Sequence, residues 1–401
     1  MLFILLLQKL YPNKFFRDLF HKIWSFISLL NLFFFSIKNK NFIYHVGLFG
    51  RNLNVGDVVL YSRLEKSFDI YSGSKNKWFH RLAFGEITST EIYFINKYCK
   101  LAIVGGHGLI MPDSNKNSNS GWGFNVKIEN LKKLKTPLVF FAIGYNVFNG
   151  EENFIPVFKE HIKLCIEKSV FFGLRNYGSI DSVKKYLPDY LHEKLKYQPC
   201  PTTIIDRSTD ETTDINADNN EIGIAVAFNK FEKRFGDNYP EIFEQVLEYC
   251  KSIIKEGYKI IFFGHHVLDT HSKHAKYFNK LGYPIFPLYK YRETDIYKFY
   301  KSKKLIIGMR GHSLMIPFGL SIPIISLETQ KKQKWFIETT GHNEWNIKMT
   351  DNIYDKLLNT TLTIMENYDY VKKEIKRVQE INKTITEKNI NYIMGLGEKK
   401  T

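Results

Sequence analysis

Cysteine is scarce in this chain, with only four residues among 401. The four are far apart and include no CxxC pair; they are Cys99, Cys165, Cys200 and Cys250. Such spacing is typical neither of a disulfide framework nor of a zinc site. The scarcity favours a reducing compartment, and we therefore expect a cytoplasmic protein.

An apolar run long enough to cross a bilayer is also missing. The longest uncharged segment near the amino terminus, Ile23 to Ile37, has 15 residues, whereas a spanning helix needs about 20. The apolar stretch Met1 to Leu7 has no basic region before it, unlike a secretory signal peptide. Residues 1–40 are predicted to form an apolar helical extension. It either attaches the protein to the inner surface of the membrane or packs on the protein itself.

Several signatures of metal and nucleic-acid sites are absent. No helix-turn-helix, RNP or zinc-finger pattern accompanies the net charge of +16, so we expect no nucleic acid among the partners. The charge instead favours small acidic substrates or anionic lipids. One histidine group lacks the HExxH spacing of a zinc site, and we interpret it as a loop lining a cleft, with no metal. This group comprises His265, His266, His271 and His274, with Asp269 among them.

What the chain does have is repeated alternation of short apolar runs with helix-like segments. This pattern is typical of βαβ units with parallel sheets, and 401 residues suit two domains. We predict an α/β fold of two Rossmann-like domains facing across a cleft. The predicted divisions are residues 1–40 (extension), 41–206 (amino-terminal domain), 207–220 (polar linker), 221–345 (carboxyl-terminal domain) and 346–401 (helical tail across both domains).

Strands are predicted at the apolar runs of each domain. They are Phe42–Phe49, Leu101–Val104, Leu138–Ile143, Val170–Leu174, Ile222–Phe228, Lys259–Phe263, Leu305–Ile307 and Ile322–Leu327. In doubly wound folds the ligand binds beyond the carboxyl ends of such strands. The residues that follow these runs are therefore the candidates for a site.

The first candidate segment joins a predicted strand to a predicted helix, Val58 to Phe68. It contains Asn52, Asn54, Gly56 and Asp57. A glycine-bearing turn that runs into a helix presents backbone N–H groups to a phosphate or carboxylate, and Asp57 is placed to cap the helix. The alternative is that these residues only shape a turn.

Two further segments end strands in the amino-terminal domain. Gly105 and Gly106 let the backbone approach a ligand or the other domain, and His107 between glycines is a candidate for contacting the substrate. Arg175 follows the predicted strand Val170–Leu174 just before a helix, where its guanidinium can bind a carboxylate or phosphate. An interdomain salt bridge is the alternative for Arg175.

A fourth segment, Gly308-Met309-Arg310-Gly311-His312, places a cation beside a titratable side chain at a strand end. Arg310 can hold an anion while His312 gives or takes a proton next to it. We therefore regard His312 as the candidate general acid.

In this order, the segments resemble polysaccharide pyruvyl transferases: G-x-N-x-N-x-G-D, a Gly-rich strand end, a strand ending in arginine, and G-M-R-x-H. The resemblance covers about Phe42 to Thr340. It implies a GT-B-like fold and transfer of pyruvate from phosphoenolpyruvate to a sugar of a cell-surface polysaccharide or glycan precursor, often as a ketal. It implies neither a metal nor an organic cofactor.

The resemblance also implies roles for individual residues. His312 would be the general acid and Asp57 a second catalytic residue that accepts a hydroxyl proton. Arg175 and Arg310 would clamp the donor. The remaining substrate-binding candidates are Asn52, Asn54, Gly56, Gly105, Gly106, His107 and His265. This chain departs from the family pattern at Asn176, at His107 and at Cys200, where many members carry an aspartate before proline.

Two other functions are compatible with the same sequence. A GT-B glycosyltransferase would use the basic cleft for the diphosphate of a nucleotide sugar. A non-catalytic protein of polysaccharide assembly would use residues 1–40 for attachment to the membrane. The released product distinguishes the pyruvyl transferase from the glycosyltransferase: the former releases phosphate, and the latter releases a nucleotide diphosphate.

Overall fold

The computed structural model describes residues 41–49, 54–112, 117–148, 153–205, 220–350 and 352–398. The predicted extension (1–40), Asn52 and nearly all of the predicted linker lie outside the described residues. Membrane attachment through residues 1–40 therefore stays a prediction. Within the described ranges, no helix combines the length and apolar character needed to cross a membrane.

The amino-terminal domain is built on a parallel sheet of six strands in the order β2-β1-β3-β4-β5-β6. The strands are β1 (Phe42–Gly47), β2 (Lys77–Leu82), β3 (Cys99–Gly105), β4 (Leu138–Ile143), β5 (Ser169–Leu174) and β6 (Leu195–Tyr197). The helices between them are α1 (Val55–Tyr71), α2 (Ser89–Tyr98), α3 (Ile128–Lys133), α4 (Val157–Lys168) and α5 (Tyr177–Lys184). Since helices cover both faces, β4 is apolar and buried along its whole length.

The carboxyl-terminal domain repeats this plan, with the strand order β12-β11-β10-β7-β8-β9. Its strands are β7 (Glu221–Val226), β8 (Lys259–Gly264), β9 (Ile285–Pro287), β10 (Leu305–Gly308), β11 (Ile324–Glu328) and β12 (Asn346–Lys348). Its helices are α6 (Phe231–Phe235), α7 (Tyr239–Lys255), α8 (Val267–His271), α9 (Lys273–Lys280), α10 (Glu293–Lys301), α11 (Gly311–Gly319) and α12 (Lys331–Thr340). Short 3₁₀ helices lie at Asp189–Lys194, Pro201–Thr203, Leu288–Lys290 and Asn343–Trp345.

Two helices complete the chain, α13 (Ile353–Glu366) and α14 (Tyr368–Glu398). The first half of α14 buries Val371 and Ile375 in the core of the carboxyl-terminal domain. Its second half buries Ile390 and Ile393 against the back of the amino-terminal sheet. One continuous helix therefore contributes to the cores of both domains.

The predicted strands correspond to eight of the observed ones, and Leu138–Ile143 matches without any shift. The strands that the sequence did not predict are all at or near sheet edges. They are β2, β6, β9 and β12. β2 mixes polar and apolar residues and fully buries only Arg81, and the other three have only three residues each. Edge strands bury too few apolar side chains to produce a recognisable pattern.

A buried histidine in the amino-terminal core makes stability depend on pH. His161 accepts a hydrogen bond at Nδ1 from the Trp122 indole (2.8 Å), and its Nε2 donates to the Val126 carbonyl oxygen (2.9 Å). Burial lowers the pKa of His161 to about 4. The unfolded chain, with a histidine pKa of about 6.5, binds this proton first as the pH falls. The folded state therefore loses stability between about pH 6.5 and pH 4.

We expect this histidine to contribute up to about 3 kcal/mol to the loss of unfolding free energy at the acidic end of that window. Urea unfolding at pH 7 and pH 4.5 measures the effect. His161→Gln should reduce the difference between the two pH values, whereas His192→Gln, at a partly exposed position, should leave it as in the wild type. Equal differences in all three proteins would contradict the role of His161.

Candidate functional site

A cavity of about 220 Å³ lies between the two sheets, at the carboxyl ends of their strands. Eight strands supply a lining residue within three positions of their ends, at Leu48, Phe84, Gly108, Asn146, Arg175, Asn229, Arg310 and Gln330. The parallel sheets of both domains therefore present their loops to one space. This is the cleft that the sequence predicted between the two domains, beyond the carboxyl ends of the strands.

The described lining of the cavity has more cationic than anionic side chains. Five cationic side chains contribute to it, namely Arg175, Lys230, Arg234, Arg310 and Lys332, whereas Asp57 is the one carboxylate. All three arginines of the described lining are mostly withdrawn from solvent, with exposed fractions of 5% for Arg175, 9% for Arg234 and 7% for Arg310. Because burial of uncompensated charge is costly, such a lining is suited to an anionic ligand.

Arg175 is held by the amino-terminal domain and has no acidic partner within the part of the chain that the structure describes. Its backbone N–H donates to the Ile143 carbonyl oxygen (3.1 Å), and its guanidinium lies over Gly144, where an added Cβ would be 2.4 Å from Nε. Among the described residues no carboxylate pairs with it, and its buried Nε makes no hydrogen bond. Burial lowers the pKa of Arg175. The interdomain salt bridge that its position also allowed is therefore not formed among these residues.

Arg310, by contrast, is already paired. Its Nη2 donates to Asp269 Oδ1 (2.6 Å) and its Nε to Asp269 Oδ2 (3.2 Å). The fully buried Asp269 also accepts backbone N–H bonds from Phe228 and His266, both at 2.9 Å. Four donors therefore hold this carboxylate and fix the direction of the arginine. The sequence singled out Asp269 only as a neighbour of histidines, since the pair spans 41 residues.

Three cations of the cavity were missed by the sequence reasoning, namely Lys230, Arg234 and Lys332. Arg234, in the short helix α6, donates from Nη1 to Thr329 Oγ1 (2.9 Å) and from Nε to the Asn229 carbonyl oxygen (3.0 Å). Burial and the nearby Arg310 lower the pKa of Arg234 to about 9. Lys332 follows β11 and donates to Asn146 Oδ1 across the cleft (2.8 Å). Its position beyond a strand end was a usable signal.

The carboxylate of the cavity is oriented by a histidine. His107 Nδ1 lies 3.1 Å from Asp57 Oδ1, while His107 Nε2 accepts the backbone N–H of Leu48 (3.0 Å). Because Nε2 is an acceptor, the ring proton is on Nδ1 and is donated to Asp57. Burial alone would raise the pKa of Asp57, but this hydrogen bond and the charges around it hold the pKa below its usual value. Asp57 is therefore an ionised base.

The helix cap is a correction to the sequence reasoning. Asn54, not Asp57, caps α1, since Asn54 Oδ1 accepts the N–H of Gly56 (2.9 Å). Asp57 follows Gly56 in the first turn of α1, and its side chain faces the cavity. Because Asn54 caps the helix, the Asp57 carboxylate remains available to the cavity.

His312 lies at the start of α11 and contacts the other domain. A Cβ at Gly56 would be 2.2 Å from His312 Nδ1, so the ring packs directly on that glycine. His312 Nε2 is 3.9 Å from Cys200 Sγ. Burial and the cation Arg175 lower the pKa of His312 to about 3, although Asp57 acts in the opposite direction. The imidazole of His312 is therefore neutral at pH 7.

The remaining candidates support the site from outside the cavity lining. Gly105 and Gly106 pack against α1, where an added Cβ would be 2.3 Å from Leu64 and 2.7 Å from Leu60. His265 is fully buried and its Nε2 bonds the Tyr300 hydroxyl (2.6 Å), while its backbone oxygen accepts the Val55 N–H across the domains. Thus Asn54, Asp57, Arg175, Arg310 and His312 meet at the cavity; Gly56, Gly105, Gly106, His107 and His265 position them.

The histidine group after β8 is dispersed. His266 caps α8, and His274 stacks on Phe231 with ring centroids 3.4 Å apart. Nowhere in the described ranges do three His, Cys, Asp or Glu side chains approach closely enough to hold a metal ion.

Two Rossmann-like domains with a shared cleft define the GT-B architecture. A UDP-GlcNAc 2-epimerase from Neisseria meningitidis, solved with UDP-GlcNAc, is similar at a TM-score of 0.53 and 11% identity, over 88% of this chain and 100% of that one. A putative UDP-N-acetylglucosamine 2-epimerase from Listeria monocytogenes gives 0.52 and 13%, over 84% and 91%. At such identities the likeness shows the fold alone.

The family follows from a sequence comparison. The family model described as polysaccharide pyruvyl transferase matches residues 6–331. No curated protein sequence matches significantly. Because the family match covers most of the chain, this protein belongs to the polysaccharide pyruvyl transferase family, as its motifs indicated.

Proposed function

We propose that this protein transfers the pyruvyl group of phosphoenolpyruvate to two hydroxyl groups of a sugar, in a cell-surface polysaccharide or its precursor, and forms a ketal. The observation that carries the proposal is the buried cationic cavity, in which Arg175 has no acidic partner among the described residues. Phosphoenolpyruvate carries a carboxylate and a phosphate, and the phosphate alone has a charge of about −1.5 to −2. Family membership supplies the reaction class.

The reaction requires one acid and one base. A proton adds to the methylene carbon of phosphoenolpyruvate, one sugar hydroxyl attacks the adjacent carbon, and the second hydroxyl replaces phosphate. The two hydroxyl protons end on the new methyl group and on the phosphate, through the enzyme's acid and base. We assign the acid to His312 and the base to Asp57, because both line the same cavity.

The charge of the donor reconciles this assignment with the low pKa of His312, which leaves its imidazole neutral at pH 7. Arg175 is the leading electrostatic reason, after burial, for the low pKa of His312. A bound polyanion compensates the nearby cations and favours the protonated ring. Binding of the donor therefore raises the pKa of His312 and favours the protonated form that acts as the general acid.

The size of the cavity favours a small donor over a nucleotide sugar. Its volume of about 220 Å³ is below the roughly 300–1,000 Å³ typical of pockets for drug-sized ligands. The GT-B glycosyltransferase alternative needs room for a nucleotide in addition to the diphosphate.

Calorimetric titration with phosphoenolpyruvate tests the proposal. We expect saturable binding by the wild type and a weakening of about tenfold or more in Arg175→Met, because a charge-assisted hydrogen bond is lost. Arg175 is a better position than Arg310, whose removal would leave buried Asp269 unpaired. Arg377→Met is the matched control, since Arg377 is exposed and pairs with Glu374 on α14.

The same titration with UDP-N-acetylglucosamine decides between the alternatives. Binding of the nucleotide sugar without binding of phosphoenolpyruvate would replace the proposal by the glycosyltransferase function. Full biological activity of both Arg310→Ala and His312→Ala would instead support a non-catalytic assembly protein.

A further inference from the structure

The amino-terminal domain also lines the cavity with apolar side chains. They are Leu48, Phe84, Met111 and Phe148. A small polyanion such as the proposed donor has little apolar surface to place against them. The described lining therefore has room for a second ligand group that is less polar than the donor.

Phe84 is in a strained backbone conformation. Its φ is +70°, in the left-handed region that favours glycine and that a bulky residue rarely adopts. Two hydrogen bonds hold it there: the Phe84 N–H donates to the Gly123 carbonyl oxygen (3.0 Å), and Asn125 Nδ2 donates to the Phe84 carbonyl oxygen (2.8 Å). Such strain is retained where the surrounding structure enforces it, and it is frequent at functional sites.

A buried ion pair fixes the loop that carries Phe84. Arg81 Nε lies 2.7 Å from Glu91 Oε1, and each of the two side chains is 1% exposed. The same guanidinium donates from Nη2 to the Glu86 carbonyl oxygen (2.7 Å) and lies against Gly85, where an added Cβ would be 2.8 Å from Nη1. The backbone on both sides of Phe84 is therefore anchored independently of any ligand.

The two phenylalanines of the described lining differ in accessibility. Phe148 is 7% exposed, and Lys230 Nζ and Arg234 Cζ each lie 5.3 Å from its ring centroid. Phe84 is only half-buried. Phe84 is therefore the one of the two that is better placed to offer its ring to a ligand.

Hydrogen bonds connect the Phe84 loop to the carboxylate of the site. The Ala83 N–H donates to the last carbonyl oxygen of β1 (2.8 Å), and the next residue of that chain end, Leu48, donates its N–H to His107 (3.0 Å). His107 in turn holds Asp57 (3.1 Å). The aromatic ring and the proposed base therefore belong to neighbouring strand ends of one domain.

We propose that the acceptor sugar stacks on Phe84, with its hydroxyl groups toward Asp57. A pyranose ring has an apolar face of C–H bonds, and their hydrogens are attracted to the negative face of an aromatic ring. The inference rests on the proposed function and makes Phe84 a residue that determines acceptor affinity. It also explains why a strained phenylalanine is held at the cavity.

Methyl glycosides of glucose, galactose, mannose and N-acetylglucosamine are the probes, titrated into the full chain in the presence of phosphoenolpyruvate. We expect the wild type to bind at least one of them. Phe84→Leu should weaken that binding about 3- to 10-fold, because the ring is lost while the apolar surface is kept. Phe84→Tyr, which keeps the ring, should stay within about twofold of the wild type. The affinity for phosphoenolpyruvate alone should change less than about twofold in both variants.

Two further variants keep the test decisive. Phe84→Gly should weaken the glycoside at least as much as leucine does, and glycine adopts the positive φ without strain, which favours folding. Phe94→Leu is the matched control, since Phe94 is a half-buried phenylalanine of α2 outside the cavity lining. It should leave the binding of both ligands unchanged.

Four outcomes would overturn the inference: wild-type glycoside binding in Phe84→Leu, an equal loss of phosphoenolpyruvate binding there, no binding of any probe by the wild type, or UDP binding that depends on Phe84. The last would assign the ring to a nucleotide base. Failure of the proposed function looks different, because a glycoside would then bind through Phe84 while phosphoenolpyruvate yields no phosphate.

Discussion

Replacing His312 by asparagine is expected to lower the rate of pyruvyl transfer about 10²- to 10⁴-fold while phosphoenolpyruvate still binds. Asparagine keeps a polar side chain of similar reach on Gly56 but has no titratable proton. The measurement is phosphate release at saturating donor with a sugar acceptor, together with the mass of the product. The loss should therefore appear in kcat rather than in donor affinity.

His271→Asn is the matched control, since His271 is an exposed residue of α8 outside the cavity lining. The pH profile adds an independent readout. Because a general acid works in its protonated form, kcat should fall as the pH rises through the pKa of His312 in the donor complex. In the empty protein, NMR titration should find that pKa near 3. A wild-type rate in His312→Asn would assign the acid to another group.

Asp269→Ala is expected to reduce the unfolding free energy by about 3–5 kcal/mol, because it leaves Arg310 buried without its ion-pair partner. The substitution also removes the acceptor of two backbone N–H groups, at Phe228 and His266. Urea unfolding at pH 7 measures the loss. Binding of phosphoenolpyruvate should weaken too, since nothing would then hold the guanidinium in place.

Asp181→Ala provides the comparison for a surface carboxylate. Asp181 is 71% exposed and lies 3.6 Å from Lys184, so its loss should cost less than about 1 kcal/mol. If the two alanine variants were equally stable, the buried ion pair would not be a main support of the carboxyl-terminal domain.

The sequence predicted the central strands well because their apolar runs are continuous. Leu138–Ile143 is buried on both faces, so each of its residues is apolar and the pattern is unambiguous. The prediction failed at the edges, where Lys77–Leu82 mixes polar with apolar residues and fully buries only Arg81. In the site it identified side chains that directly follow strands, such as Arg175 and Arg310, and missed Arg234, which lies in a helix.

The sequence by itself determined the two-domain α/β plan, the family and the strand ends at which the site is built, because alternating apolar runs and glycine turns are local properties. Only the tertiary structure decided which cations are paired. Arg310 is held by an aspartate 41 residues away, Asp57 is held by His107 from another strand end, and Arg175 has no acidic partner among the described residues. These differences depend on distances between residues remote in the chain, and such distances arise only when the sheets pack.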